Sequence, residues 1–121
     1  MIQTAVTFND IRRIVQQIVE RFELQKVILF GSYADGKPAQ DSDVDLLVVM
    51  DSAEEPLHTA ARISAAIDHP FALDIVVSKP SALEASFKRR GNFATEIMTR
   101  GVVLYEAHSH KWASSICEIK F

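Results

Sequence analysis

The chain has 121 residues, 48% of them hydrophobic and 24% charged, with a formal net charge of −3. That balance suits one folded, soluble domain. It excludes a disordered segment, two independent cores and a nucleic-acid grip that rests on excess Lys and Arg. No apolar run is long enough to span a bilayer, and Met1-Ile2-Gln3-Thr4 does not open an export signal. The single cysteine, Cys117, rules out an internal disulfide framework and fits a reducing cytoplasm.

Taken in chain order, residues 8 to 22 are predicted to form an amphipathic helix. Ile11, Ile14, Val15, Ile18, Val19 and Phe22 recur at helical spacing, and Thr7 or Asn9 caps the start. Lys26 to Phe30 reads as a short buried strand that stops at a glycine. Gly31 to Ser42 is a loop by composition, and Val44 to Met50 is a second strand. Ser52 and Glu55 stand at capping-box spacing before a helix over 54 to 68. Its inward stripe is expected to be Leu57, Ala60, Ala61 and Ile67. Phe71 to Ser78 is a third strand. A helix starts near Ser81, and another runs from Phe93 to Arg100, with Arg100 in its last turn and Gly101 at C′. Val102 to Tyr105 is a short strand. The segment from Ala107 to Phe121 is ambiguous: Trp112, Ile116 and Ile119 have helical spacing, whereas Cys117, Ile119 and Phe121 alternate as in a strand. These elements predict an α/β (α+β) domain with a small mixed sheet flanked by helices.

Three carboxylates interrupt the apolar pattern. Asp43 and Asp45 bracket Val44 at the start of the second strand, and residues two apart in a strand share a face. Asp74 lies within Phe71-Ala72-Leu73-Asp74-Ile75-Val76-Val77, where a carboxylate is costly unless something compensates it. Placed on the same face of a neighbouring strand, it converges with the other two. Two like charges about 4 Å apart repel by about 4 kcal/mol at an effective dielectric near 20. Such a cluster therefore takes up protons or binds cations. Clustered oxygen ligands suit Mg²⁺, or Mn²⁺, better than zinc. Gly31, just after a buried strand, lets the backbone approach a ligand closely, and Ser32 adds a hydroxyl donor. The basic run Lys88-Arg89-Arg90 reads as a solvated helix face, and His108-x-His110 with Cys117 as part of the tail rather than a metal site.

The stretch Phe30-Gly31-Ser32-Tyr33-Ala34 through Ser42-Asp43-Val44-Asp45-Leu46-Leu47-Val48 resembles the signature of nucleotidyltransferases related to DNA polymerase beta: Gly-Ser, ten residues, then Asp-x-Asp. It is most similar to the minimal nucleotidyltransferase branch, with Asp74 where that family keeps a third carboxylate, and the likeness runs over residues 8 to 106. Tyr33 and Asp35 depart from the pattern, since the positions after Gly-Ser often carry arginine. Lys37 is the only cation of that loop.

The resemblance implies a nucleotidyltransferase fold over 1–106 followed by a C-terminal tail over 107–121 that docks a partner or covers the core. It implies that Asp43, Asp45 and Asp74 are catalytic and hold two Mg²⁺ ions, and that Gly31 and Ser32 hold the nucleotide phosphates. The implied reaction moves AMP from ATP to a hydroxyl, expected to be a tyrosine of a helical HEPN-family toxin encoded nearby. The chain then acts as a cytoplasmic antitoxin, in a homo- or hetero-oligomer, with neither membrane nor direct nucleic-acid binding. The alternative is a non-catalytic module that neutralises its partner by docking. A third possibility, transfer to a small aminoglycoside-like hydroxyl compound, is disfavoured because no acceptor-binding domain is evident.

Overall fold

A computed structural model of the chain describes residues 6–36, 43–69, 71–88, 93–107 and 117–119. The first helix, α1 (Phe8–Arg21), opens on a capping box: the Thr7 hydroxyl accepts from the Asp10 amide at 3.2 Å, and the Asp10 carboxylate accepts from the Thr7 amide at 2.8 Å. Its stripe of Ile11, Ile14, Val15 and Ile18 is buried. The next elements are β1 (Lys26–Phe30), β2 (Val44–Val49), α2 (Pro56–Ala66), β3 (Leu73–Ser78), α3 (Pro80–Lys88), α4 (Phe93–Arg100), β4 (Val102–Ala107) and β5 (Cys117–Ile119). The strands form one mixed sheet in the order β3-β2-β1-β4-β5. The β2–β3 pairing is parallel, and the β1–β2, β1–β4 and β4–β5 pairings are antiparallel.

Strand alternation divides the side chains between two layers. Val27, Leu29, Val44, Leu46, Val48 and Val77 face α1 and the α2 residue Ile63, in the larger core. Ile28, Leu47 and Val49 face the other way, against Ile97 of α4, with Leu83 of α3 at the margin. Between Val27 and Ile28 the pairing to β4 slips by one residue. This bulge lets the successive residues Leu104 and Tyr105 both reach the larger core. Tyr105 is therefore an interior residue.

The expected cap of α2 and half of its expected inward stripe are overturned, while Ala60 packs against the core and Ile67 is buried as expected. The N-cap of α2 is Glu55, without a side-chain cap. The Ser52 hydroxyl instead accepts from the Glu54 amide at 3.2 Å and lies 3.2 Å from the Thr59 hydroxyl. Thr59 is thereby held inward and the helix is rotated about its axis. Thr59 and Ile63 are buried, with Ile67 just beyond, whereas Leu57 is 83% exposed and Ala61 also faces out. The end of α2 is tied to α1. Arg21 donates to the Ala66 carbonyl, and Gln17 bridges both backbone groups of Asp68, at 3.2 Å to its carbonyl and 2.9 Å from its amide. Of the C-terminal segment, residues 117–119 pair with β4. His108, His110, Trp112, Ile116 and Phe121 lie outside the described residues, as do Lys37 and Arg89-Arg90.

Candidate functional site

The two layers meet the three carboxylates at one end of the sheet. In the β1–β2 register Phe30 lies opposite Asp45, and in the β2–β3 register Asp45 lies opposite Asp74. Side chains opposite one another on paired strands share a face. Phe30, Asp45 and Asp74 thus line up across three strands, on the side covered by α3 and α4. Asp43 precedes β2 by one residue and is exposed. Asp74 is exposed too, because β3 is an edge strand. The desolvation that the apolar run around Asp74 predicts therefore falls on Asp45, which is half-buried between β1 and β3. Burial pushes the Asp45 carboxyl above its ordinary range, and the nearby charges of Asp74 and then Asp43 push it further. Among the described residues this carboxylate has no hydrogen-bond partner to offset them.

Gly31 closes the site from the β1 end. It has a φ of +78°, and a Cβ built there would fall 2.3 Å from an Asp45 carboxylate oxygen. A side chain is thus excluded twice, by backbone conformation and by the carboxylate beneath. From Gly31 the chain coils tightly: the amides of Ala34 and Asp35 both donate to the Gly31 carbonyl, at 3.1 and 3.2 Å, and Gly36 donates to Tyr33 at 3.3 Å. Ser32 is half-buried in this turn.

The arrangement is an open acidic patch. Among the described residues no three His, Cys, Asp or Glu side chains close into a cage that would hold an ion unaided. The donor set fits Mg²⁺ in a different way. That ion keeps several waters and binds through one or two carboxylates together with substrate phosphates. Asp45 and Asp74, with Asp43 beside them, are the residues that would hold it.

Beyond Gly31, on the side away from β3, lies a cavity of about 260 Å³ lined by Phe30, Gly31, Asp35, Glu96, Ile97 and Arg100. The linear sequence gives no sign of it. Arg100 reads there as an ordinary helix-end charge, and the packing of α4 over β1 brings it, with Glu96, to the loop. Gly101 permits that packing, since a Cβ there would meet the Ile97 carbonyl at 2.4 Å and Ile28 Cγ2 at 2.6 Å. Gly101 does not have a positive φ, so closeness rather than left-handed backbone requires it.

Residues 12–110 match the model of the family described as polymerase beta, nucleotidyltransferase. The chain belongs to that family. Members generally use ATP and divalent metal ions. A relative from Methanocaldococcus jannaschii, MJ1379, provisionally named a protein adenylyltransferase, is 30% identical over 54 residues, which are 41% of this chain and 54% of the relative. The aligned part thus spans about half of that relative. The fold is similar to that of a provisionally named nucleotidyltransferase from Sulfolobus solfataricus, with a TM-score of 0.56 and 22% identity over 81% of this chain and 78% of the other. It is also similar to a toxin–antitoxin structure with AMP-PNP, with a TM-score of 0.53 and 23% identity over 83% of this chain and 75% of the other. These likenesses establish the mixed sheet with flanking helices as a nucleotidyltransferase fold. Among the described residues no helix is long and apolar enough to cross a membrane.

Proposed function

We propose that this nucleotidyltransferase domain moves AMP from ATP to a tyrosine hydroxyl of a partner HEPN-family toxin, and so acts in the cytoplasm as its antitoxin. The observation that carries the reading is the register that sets Asp74 opposite Asp45, with Gly31 seated on the Asp45 carboxylate. In the reaction the acceptor oxygen attacks the α-phosphorus of ATP. A new P–O bond forms, the bond to the bridging α–β oxygen breaks, and pyrophosphate leaves. Two divalent ions held by Asp43, Asp45 and Asp74 would favour the ionised acceptor and neutralise the departing pyrophosphate. Gly31 and Ser32 hold the β- and γ-phosphates, through backbone approach and a hydroxyl. Asp74 lies nearest the acceptor and takes part in removing its proton. Its exposure on an edge strand supports a macromolecular acceptor, because a side chain presented by another protein can reach it unobstructed. Support for the toxin and for ATP comes from MJ1379, named for protein adenylylation, and from the fold neighbour crystallised as a toxin–antitoxin with AMP-PNP.

The test is incubation of the chain with α-labelled ATP, Mg²⁺ and the toxin encoded beside it, read by intact mass. The toxin should gain AMP and lose toxicity. Both effects should vanish in folded Asp45→Ala and Asp74→Ala variants, and when the acceptor tyrosine is changed to phenylalanine. Neutralisation that persists in both aspartate variants without a mass gain would instead establish docking alone.

A further inference from the structure

The described part of the phosphate-holding turn has a charge deficit. A nucleoside triphosphate arriving at Gly31 brings three or more negative charges to a place where Asp43, Asp45 and Asp74 already stand. The described part of the loop, residues 31–36, supplies no cation and adds the acid Asp35. Ions bound by the three aspartates offset the inner faces of the phosphates, but not the outer face of the γ-phosphate on the side away from β3. The cavity occupies that side. At about 260 Å³ it falls below the ~300–1,000 Å³ of sites that enclose a whole drug-sized ligand. It suits a fragment of the nucleotide rather than all of it.

One cation lines the cavity, Arg100. As a plain helix-end residue it would be expected to pair with Glu96 one turn earlier, a favourable i, i+4 orientation. Among the described residues it pairs with neither Glu96 nor Asp35, so its guanidinium is free to donate. We propose that Arg100, reaching across from the last turn of α4, donates to the outer oxygens of the γ-phosphate of the nucleotide whose β- and γ-phosphates rest on Gly31 and Ser32. This rests on the reading of that turn as the phosphate-holding element. The planar guanidinium can donate two parallel hydrogen bonds to a phosphate. Asp35, facing the same cavity, opposes that phosphate and limits affinity. The pair thus forms a specificity device: the cavity favours a nucleotide that carries its terminal phosphates over one that lacks them.

Calorimetric titration of the full chain in Mg²⁺ with ATP, and separately with AMP, tests this. Arg100→Ala should weaken ATP binding by about tenfold, the effect of one charge-assisted contact, and leave AMP binding within about twofold. Arg100→Lys should recover part of the loss, since the charge stays and the fork goes. Asp35→Asn, which keeps size and removes the charge, should tighten ATP binding and leave AMP unchanged. Melting temperatures of all variants should stay near that of the parent. Unchanged ATP affinity in both Arg100→Ala and Asp35→Asn overturns the proposal while leaving the phosphate-holding role of Gly31 and Ser32 intact. Equal losses of ATP and AMP overturn it in favour of a base- or sugar-binding cavity. Failure of the parent chain to bind ATP overturns both.

Discussion

Asp45→Asn should make the metal-free protein more stable at neutral pH. Asp45 lies opposite Asp74 on a neighbouring strand, and neighbouring strands are about 4.8 Å apart. Two unit charges at that spacing repel by about 3–4 kcal/mol at an effective dielectric of 20 and by about 1 kcal/mol in water. Asp74 is exposed and Asp45 half-buried, so the discounted repulsion is about 1–2 kcal/mol. Asparagine keeps the shape and removes the charge. At about 1 kcal/mol the melting temperature of so small a domain rises by roughly 4 °C or more. The sign with pH follows from the raised carboxyl. Above its ordinary value of 3.8 the unfolded chain has released this proton while the folded chain still holds it, so stability falls as pH rises through the interval up to the folded value. The advantage of the variant should be complete at pH 7, shrink through that interval on acidification and vanish below it. Thermal unfolding in a chelator, repeated from pH 3 to 8, provides the measurement. Added Mg²⁺ should raise the melting point of the parent more than that of the variant, since an ion bound only to the folded state stabilises it. A variant no more stable than its parent at pH 7 without divalent ions would refute the claim that these carboxylates share one confined face.

Three further substitutions probe the frame around the site. Gly31→Ala places a methyl 2.3 Å from an Asp45 oxygen at a φ of +78°. It should cost about 1–2 kcal/mol in melting experiments and lower AMP transfer by a larger factor than that loss explains, because Asp45 must swing away. Gly101→Ala meets a backbone carbonyl at 2.4 Å, which cannot yield as a side-chain end can. Urea unfolding should show about 1–3 kcal/mol of destabilisation, and a loss within about 0.5 kcal/mol would argue against close packing of α4 on β1. Thr7→Ala removes the α1 capping box and should cost about 1 kcal/mol by the same assay. The Asp10 carboxyl, held below its usual range by the Thr7 amide and hydroxyl, contributes stability that is present at neutral pH and lost as pH falls through its depressed value. The gap between Thr7→Ala and its parent should therefore narrow in acid.

Most of the fold is written locally, and the sequence conveys it where local chemistry decides the outcome. The α1 stripe and Thr7 cap, the limits of β1 and the helix ending at Arg100 follow from periodicity, a capping residue and glycines. The face of α2 is not written locally. Leu57 and Ala61 suit an inward stripe as well as Thr59 and Ile63 do, and a hydrogen bond from Ser52 to a threonine seven residues away decides between them. The order of strands was equally hidden, since nothing in residues 71 to 78 shows that β3 lies at an edge. That one fact moves the burial penalty from Asp74 to Asp45.

The same fact bears on how the site can function. The polar end of the sheet falls on the thinner layer, where among the described residues Ile28, Leu47, Val49 and Ile97 are the buried members, and Asp43 and Asp74 are exposed. Had the carboxylates alternated onto the other face, they would have entered the larger core beside Val44 and Leu46, which are fully buried. Three charges could not ionise there, and neither nucleotide nor acceptor could reach them. A one-residue shift in the register of β2 would produce that inversion, so that register, rather than the length of the loop between Gly31 and Asp43, is itself part of the site. Lengthening that loop by one residue leaves β2 free to keep its register, because its alternating apolar face holds it in place. Deleting a residue from within β2 does not, and it should abolish both folding and nucleotide binding together. Separate loss of the two in these variants would show that the site is set by the loop rather than by the sheet.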